Sequence, residues 1–501
     1  MRTAATRSQG GATAVPLVPL LALTALGGAL RFATVGDQSF WSDEAVTASL
    51  LHHGLADMLR ALPGSESTPP LYYVVAWFWT RIFGLDEAGL RSLSALAGTL
   101  TIPVAYFIGA RLASARAGVA AAALVAVNPL LWWYSQEARS YALVVLLTAL
   151  ATLAFVEMVQ RDRWHWAWAV AAALALATHY FAVFVVLPQA AWLAWRIWKS
   201  RRATAAPALA LVAVTACALL PLLIRQESNH GAKFIEQSGS LAFRLEQVPK
   251  QFLIGFDAPF EVPAAVIAAL AALAALVLLV TRASDDERRG ALLIGSIAAS
   301  AVALPVVAAL FGADYLITRN LIPALVPALI VLALGIGARN AGPLGVLAGA
   351  VLCSVSLATI IGVSSDAAYQ RDDWRGVARA LGPAARDRVV VVTPADGAVA
   401  LRWYLPGVHT TGGVSNVAEI DAVGVARRLA GQKPQPPREA VPAPAGFQQV
   451  RRVERPTFTL VSLRAAQPVP VNYDFANAQR LSRELRSSVL YQRQARSLGA
   501  P

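Results

Sequence analysis

Four short groups of polar residues have the types that handle protons, hydroxyls and phosphates, and each sits at the end of a long apolar segment. Asp43 and Glu44 follow Phe40, Trp41 and Ser42. A carboxylate pair there either accepts protons from a hydroxyl or stays as solvated charge at an aromatic-marked interface. The run NPLLWWYSQEARSY, 128–141, closes an apolar segment with Trp132, Trp133 and Tyr134, then sets Gln136, Glu137, Arg139 and Tyr141 in one turn. Such a turn is either a salt-bridged helix end or a compact binder of an anionic head group, because a guanidinium fork matches phosphate oxygens. In THYF, 178–181, His179 and Tyr180 interrupt two nearly continuous apolar segments; an ionisable group so close to lipid is costly without a partner or a role. In DYLITRNLIP, 314–323, Tyr315 and Arg319 open a later segment. Arg319 either snorkels to the interface or clamps a phosphate together with Arg139.

The elements that must position these groups are membrane helices. The chain has 501 residues, 56% of them apolar. Apolar windows near 13–34, 90–110, 115–133, 140–159, 164–179, 181–197, 204–224, 259–281, 291–311, 319–337 and 342–363 predict about eleven transmembrane helices, since a crossing takes about 20 residues. Strand-like alternation is scarce before residue 363, so helices rather than a barrel must satisfy the backbone in lipid. The segment 69–83, with Pro69, Pro70 and six aromatic rings, is read as lying along the interface. The inner loops then hold Arg111 and Arg116; Arg161 and Arg163; Arg196, Lys199, Arg201 and Arg202; Arg282, Arg288 and Arg289; and Arg339, as the positive-inside rule requires. The alternative, in which 69–83 crosses, moves every later loop to the other side. The first span, preceded by Arg2 and Arg7, is expected to stay uncleaved, because no clear small-residue cleavage site follows it.

This topology puts the N-terminus inside, and the loops 35–89 and 225–258 outside with all four polar groups and everything after 364. The net charge of +13 thus speaks for orientation and not for nucleic acid. Cys217 and Cys353 lie in apolar spans and make neither a disulfide nor a metal cluster. Residues 1–363 form the membrane module; 364–501 predict a small external α/β domain, from a helix-like DDWRGVARAL, a VVVV run and later short apolar runs. Its arginine-rich end, 482–497, reads as a solvated tail or as a contact for anionic lipid or polymer.

The chain resembles the GT-C membrane glycosyltransferases, in the branch of the protein O-mannosyltransferases and the lipid A aminoarabinose transferase. The resemblance rests on FWSDEA, STPPLYY, LRSLSALAGTLTIPVAYFIGARL, NPLLWWYSQEARSYAL, THYFA, RNLIPALVPA and DDWRGVARAL, which follow one another over most of residues 35–385. It implies transfer of a monosaccharide from a polyprenyl-phosphate donor to an envelope glycan, lipid or protein at the extracytoplasmic face. Asp43 matches the family's catalytic acid, Glu44 completes the acidic pair, and Gln136, Glu137 and Arg139 correspond to a second part of the active site. The first loop lacks the lysine with which the aminoarabinose transferase meets the carrier phosphate, which shifts that role to Arg139 and Arg319 and argues against aminoarabinose as the sugar.

The expected reaction is an inverting displacement with Asp43 as general base. Glu137 is expected to hold Arg139 or the acceptor, and Tyr141, His179, Tyr180 and Tyr315 to line the substrate site with Gln136. Arg244 and Lys250 guide the phosphate or are a solvated loop face. No cofactor is required, although Asp43 and Glu137 are oxygen ligands that could take Mg, Mn or Ca. The expected partners are the donor, the acceptor and membrane lipids, with a monomer in a bacterial plasma membrane. A lipid translocase or a non-enzymatic envelope scaffold remains an alternative.

Overall fold

The computed structural model describes residues 15–201, 203–230, 235, 238–426 and 433–494. Arg2, Arg7, Arg202 and the last seven residues, including part of the arginine-rich end, lie outside them. Helix α1 (Leu17–Phe32) leads into a loop with three helices, α2 (Ser42–His52), α3 (Leu55–Ser65) and α4 (Leu71–Phe83). Next come α5 (Glu87–Leu112), α6 (Ala115–Val127), α7 (Pro129–Ser135), α8 (Tyr141–Arg161), α9 (His165–Thr178), α10 (Val183–Ser200) and α11 (Ala206–His230). After α12 (Leu241–Ile254) follow α13 (Glu261–Arg282), α14 (Asp285–Leu310), α15 (Leu325–Ile336) with its 3-10 entry Thr318–Ala324, and α16 (Gly342–Ser365).

Among the described residues, eight helices are long and apolar enough to cross a membrane, the pair α6–α7 makes a ninth, and α1 and α9 are shorter apolar helices. Every expected apolar segment therefore carries a helix. The chain is a multi-pass membrane protein. The helices α2, α3 and α4 have only 11, 11 and 13 residues, short of the roughly 20 a crossing takes.

The segment expected as one helix over 115–133 is broken, with a bend of 56° between α6 and α7. Pro129 brings no N–H to the ladder, and Asn128 caps α7, its Oδ1 accepting from the Leu131 amide at 3.0 Å. The carbonyls freed at the end of α6 need donors, because lipid offers none. Arg31 of α1 supplies them: fully buried, it donates to Ala126 O at 2.8 Å and Val125 O at 3.0 Å, and its Nε reaches Ser135 Oγ at 3.1 Å. A Cβ at Gly98 of α5 would overlap Ser135 and crowd the Arg31 guanidinium, so glycine there admits the clasp.

Beyond α16 the chain forms a six-stranded mixed sheet of β1 (Arg388–Thr393), β2 (Val408–Thr410), β3 (Ser415–Val425), β4 (Phe447–Glu454), β5 (Phe458–Val471) and β6 (Ser488–Gln492). The strand order is β2-β6-β1-β3-β5-β4. Only β1 and β3 run parallel to each other. The helices α17 (Trp374–Leu381), α18 (Gly397–Tyr404) and α19 (Tyr473–Asn477) accompany the sheet. The expectation of a solvated arginine-rich tail is corrected over its middle: Ser488–Gln492 pairs on both sides, with β1 and β2, and Val489 and Leu490 are buried. As successive strand residues they point to opposite faces, and each face is covered by a different apolar cluster.

This domain is knitted to the first loop. Ser39 Oγ donates to Asp372 O at 2.7 Å, the Phe40 amide to Tyr404 Oη at 2.6 Å, and Tyr404 Oη to Glu87 at 2.7 Å. The Phe40 and Trp403 rings meet edge to face at 6.0 Å.

Replacing Arg31 by Leu strands the two α6 carbonyls. We expect a loss of about 3 kcal/mol of stability, read from denaturant unfolding in mild detergent; an unchanged midpoint would show that the break is held by other contacts.

Candidate active site

The site is built around Glu44, the third residue of α2. It has no exposed surface. Its Oε1 accepts from Arg91 Nε at 2.7 Å and from the Ala138 amide at 2.7 Å, and its Oε2 accepts from Arg91 Nη2 at 2.6 Å. One carboxylate thus ties the first loop to α5 and to the turn between α7 and α8. Burial pushes its pKa up, but the Arg91 charge and hydrogen bonds outweigh this and hold it below the ordinary value. With both oxygens committed and no surface, Glu44 lacks the access that the catalytic role expected of it needs. Arg91 in turn donates to Gln38 O at 2.7 Å and Ser39 O at 2.9 Å.

The turn 136–140 brings its side chains to different places. Arg139 pairs with Glu66 at 2.6 Å and donates to Thr47 Oγ1 at 2.9 Å. Glu137 pairs with Arg371, which enters from the start of the C-terminal domain, at 2.9 Å. The expected Glu137–Arg139 pair is therefore corrected: each takes a partner from another segment. Arg371 also stacks over the Trp133 ring at 4.2 Å and meets Gln38 Oε1 through its amide at 3.0 Å. The Oε1 of Glu137 is buried with no hydrogen-bond partner among the described residues. Burial, reinforced by Glu44 and opposed by Arg371, raises its pKa. Gln136 turns toward α1, its Nε2 donating to Thr34 Oγ1 at 2.8 Å and Arg31 O at 3.0 Å.

Asp43 differs from these acids. More than a third of its side chain is exposed, and Arg319 Nη1 lies 3.8 Å from its Oδ2. Arg319 is itself a quarter exposed. Beside them, Tyr141 packs against Tyr134 at 4.7 Å and against His179 at 5.5 Å. His179 accepts from the Phe181 amide at 3.3 Å, and its ring packs on Phe181, which meets Tyr315 at 5.8 Å. Tyr180 donates to Gln226 Oε1 at 2.7 Å, and Tyr315 bonds Glu227, so both are tied to the end of α11. Asp43, Tyr141, His179, Tyr315 and Arg319 thus belong to one connected wall. Gln136 is turned away from it.

The reading of Arg244 and Lys250 is corrected. Arg244 is clasped by Asp314 at 2.5 Å and donates to Leu316 O at 2.6 Å; Lys250 is held by Glu261 at 2.6 Å. Neither is a loose phosphate guide, because each closes a loop. Among the described residues no three His, Cys, Asp or Glu groups gather as metal ligands. The two candidate oxygen ligands, Asp43 and Glu137, each face a guanidinium instead. A small cleft is lined by Pro129, Trp133, Phe256, Asp257, Ile360 and Tyr369, beside the ring that Arg371 covers; Asp43 is not among its lining residues.

Sequence reasoning missed Arg91, Glu66 and Arg371. Arg91 was visible as a charge at the mouth of an apolar segment, and Arg371 precedes DDWRG; Glu66 gave no signal beyond its place before STPP.

ArnT from Cupriavidus metallidurans in the apo state superposes with a TM-score of 0.50 at 15% identity, over 78% of this chain and 84% of that one. The chain has the GT-C glycosyltransferase fold. Residues 67–224 match the family described as dolichyl-phosphate-mannose-protein mannosyltransferase. ArnT bound to undecaprenyl phosphate gives a TM-score of 0.48 at 16% identity, over 78% of this chain and 85% of that one. The Archaeoglobus fulgidus oligosaccharyltransferase tethered to an acceptor peptide gives 0.48 at 14% identity, over 77% of this chain and 63% of that one. No curated protein matches the sequence.

Glu44→Gln leaves Arg91 buried without its counter-charge. The expected cost is about 3–5 kcal/mol, whereas Asp43→Asn should change stability by less than about 0.5 kcal/mol. Thermal unfolding of the two variants checks the contrast, and equal losses would overturn the division of roles. Because the folded pKa of Glu44 is depressed, its contribution is present above the ordinary carboxylate range and is lost as pH falls through the folded value.

Proposed function

We propose that this protein transfers a monosaccharide from a polyprenyl-phosphate donor to a hydroxyl of an envelope acceptor, at the extracytoplasmic face, with inversion. The observation that carries the reading is the contrast among the acids. Glu44, Glu66 and Glu137 are buried and paired with Arg91, Arg139 and Arg371, while Asp43 is partly exposed beside the partly exposed Arg319. A general base must reach the proton it removes. The match of residues 67–224 to a family named for a dolichyl-phosphate sugar supports a polyprenyl-phosphate donor, and the arginine-rich loops at the opposite helix ends support the outward orientation.

In this reading Asp43 accepts the acceptor's hydroxyl proton as its oxygen bonds to the anomeric carbon. The bond from that carbon to the phosphate oxygen breaks, and its electron pair leaves with the lipid phosphate. Arg319 stabilises charge growing on the phosphate. Arg139, committed to Glu66 and Thr47, acts as a positioning residue behind Asp43, whose carbonyl it meets at 3.4 Å. Glu44 positions too. Glu137 holds Arg371 in place, and Tyr141, His179 and Tyr315 wall the sugar site. With a guanidinium facing each of Asp43 and Glu137, this reading uses no divalent cation.

The test is sugar transfer in nanodiscs from a panel of polyprenyl-phosphate monosaccharides to cell-envelope acceptors. Asp43→Asn should lower kcat by about 10³-fold with folding intact; activity surviving in that variant would remove Asp43 from catalysis. Arg319→Gln should lower kcat by about 10²-fold. Treatment with EDTA should leave the rate unchanged, and a loss restored by Mg, Mn or Ca would put an ion into the mechanism.

A further inference from the structure

The far end of α5 carries a second charged cluster that the proposed reaction does not use. At about 1.5 Å per residue, the 26 residues of α5 separate the two ends by roughly 39 Å. Glu157, near the end of α8, has no exposed surface, yet three guanidiniums converge on it: Arg111 at 2.5 Å, Arg161 at 2.8 Å and Arg163 at 2.7 Å. One partner would neutralise it. The surplus is two positive charges, and these three side chains are 33%, 45% and 49% exposed. Asp162 adds an acid but is itself shared by Arg196 at 3.6 Å and His165 at 3.5 Å.

The ends of Arg111 and Arg161 sit at the C-terminal turns of α5 and α8, where helix dipoles favour cations. That accounts for the arginines' location but not for a third arginine on the same acid. Around the cluster stand exposed indoles, Trp164 and Trp166 at the start of α9 and Trp195 and Trp198 near the end of α10. Arg163 lies over the Trp164 ring at 5.5 Å and Lys199 over Trp195 at 5.0 Å. Amphipathic rings of this kind settle at head-group depth, so the surplus charge is held at the level of lipid phosphates.

We infer that Arg111, Arg161 and Arg163, gathered on buried Glu157, form a binding site for the phosphate of an anionic phospholipid head group on the face opposite Asp43. Glu157 orders the guanidiniums by one edge each, Arg161 through Nη1 and Arg163 through Nε, and their other donors fit phosphate oxygens. A lipid bound there bridges the ends of α5, α8 and the α8–α9 turn. The inference is independent of which reaction occurs at Asp43.

The test uses the purified full chain in mixed micelles, with native mass spectrometry counting retained lipids. Phosphatidylglycerol should be retained over phosphatidylcholine by about tenfold or more, and Arg161→Gln with Arg163→Gln should abolish the preference while Arg111 keeps Glu157 paired. The single variant Arg163→Gln, at a half-exposed position, serves if the double variant does not fold, and should lower the preference about fivefold. Equal retention of both lipids, an undiminished preference in the variants, or displacement by millimolar inorganic phosphate would overturn a lipid site.

Discussion

The Glu44–Arg91 pair is the contact on which the site depends. It is wholly buried, and two charges removed from water are tolerated only with good geometry and full hydrogen bonding. Both conditions hold, because Arg91 spends its remaining donors on the carbonyls of the loop that carries Glu44 and Glu44 spends its remaining acceptor on the Ala138 amide. The outcome is positional. The first loop, the mouth of α5 and the α7–α8 turn cannot move separately, and Asp43, the neighbour of Glu44, is presented at a fixed point on α2.

The same logic recurs around that point. Glu66 with Arg139 and Glu137 with Arg371 are further buried pairs whose members come from distant segments. Each joins two pieces of chain that apolar packing alone would leave free to slide. Arg371 matters most for architecture, since it makes the C-terminal domain a wall of the site through Glu137, Trp133 and Gln38. The packing of Phe40 on Trp403 and the Tyr404 hydroxyl between Phe40 and Glu87 fix the domain from its other side.

How much of this was legible in the sequence follows from the physics of each feature. Apolar length announces a helix, so each of the eleven segments carries one, and among the described residues eight of these are by themselves long and apolar enough to cross a membrane. The α6–α7 break was not, because Asn128 and Pro129 read as ordinary residues within an apolar run and the decisive donor, Arg31, lies on another helix. The polar groups at the helix ends were legible as a set, since charge near lipid needs a reason. Their pairing was not, because it is settled by side-chain reach across segments: Glu137 and Arg139 are two residues apart yet look in different directions. The strand at Ser488–Gln492 was hidden by its basic neighbours, which outweigh a five-residue run with only two adjacent aliphatic residues.

The two ends of α5 show what the surroundings do to a buried acid. At the site end Glu44 has one arginine, and its environment is closed to water. At the other end Glu157 has three, and all of them extend to the surface. A charge-balanced pair locks structure and offers nothing to a ligand; an overbalanced cluster leaves donors directed outward. Asp43 and Arg319 follow a third arrangement, a loose and partly exposed pair at 3.8 Å. Its members can exchange each other for substrate groups of the same charge types, Asp43 for a hydroxyl proton and Arg319 for phosphate, at little desolvation cost because neither has been fully withdrawn from water. Chemistry is therefore expected at the weakest ion pair of the site, and the tight ones hold it in place.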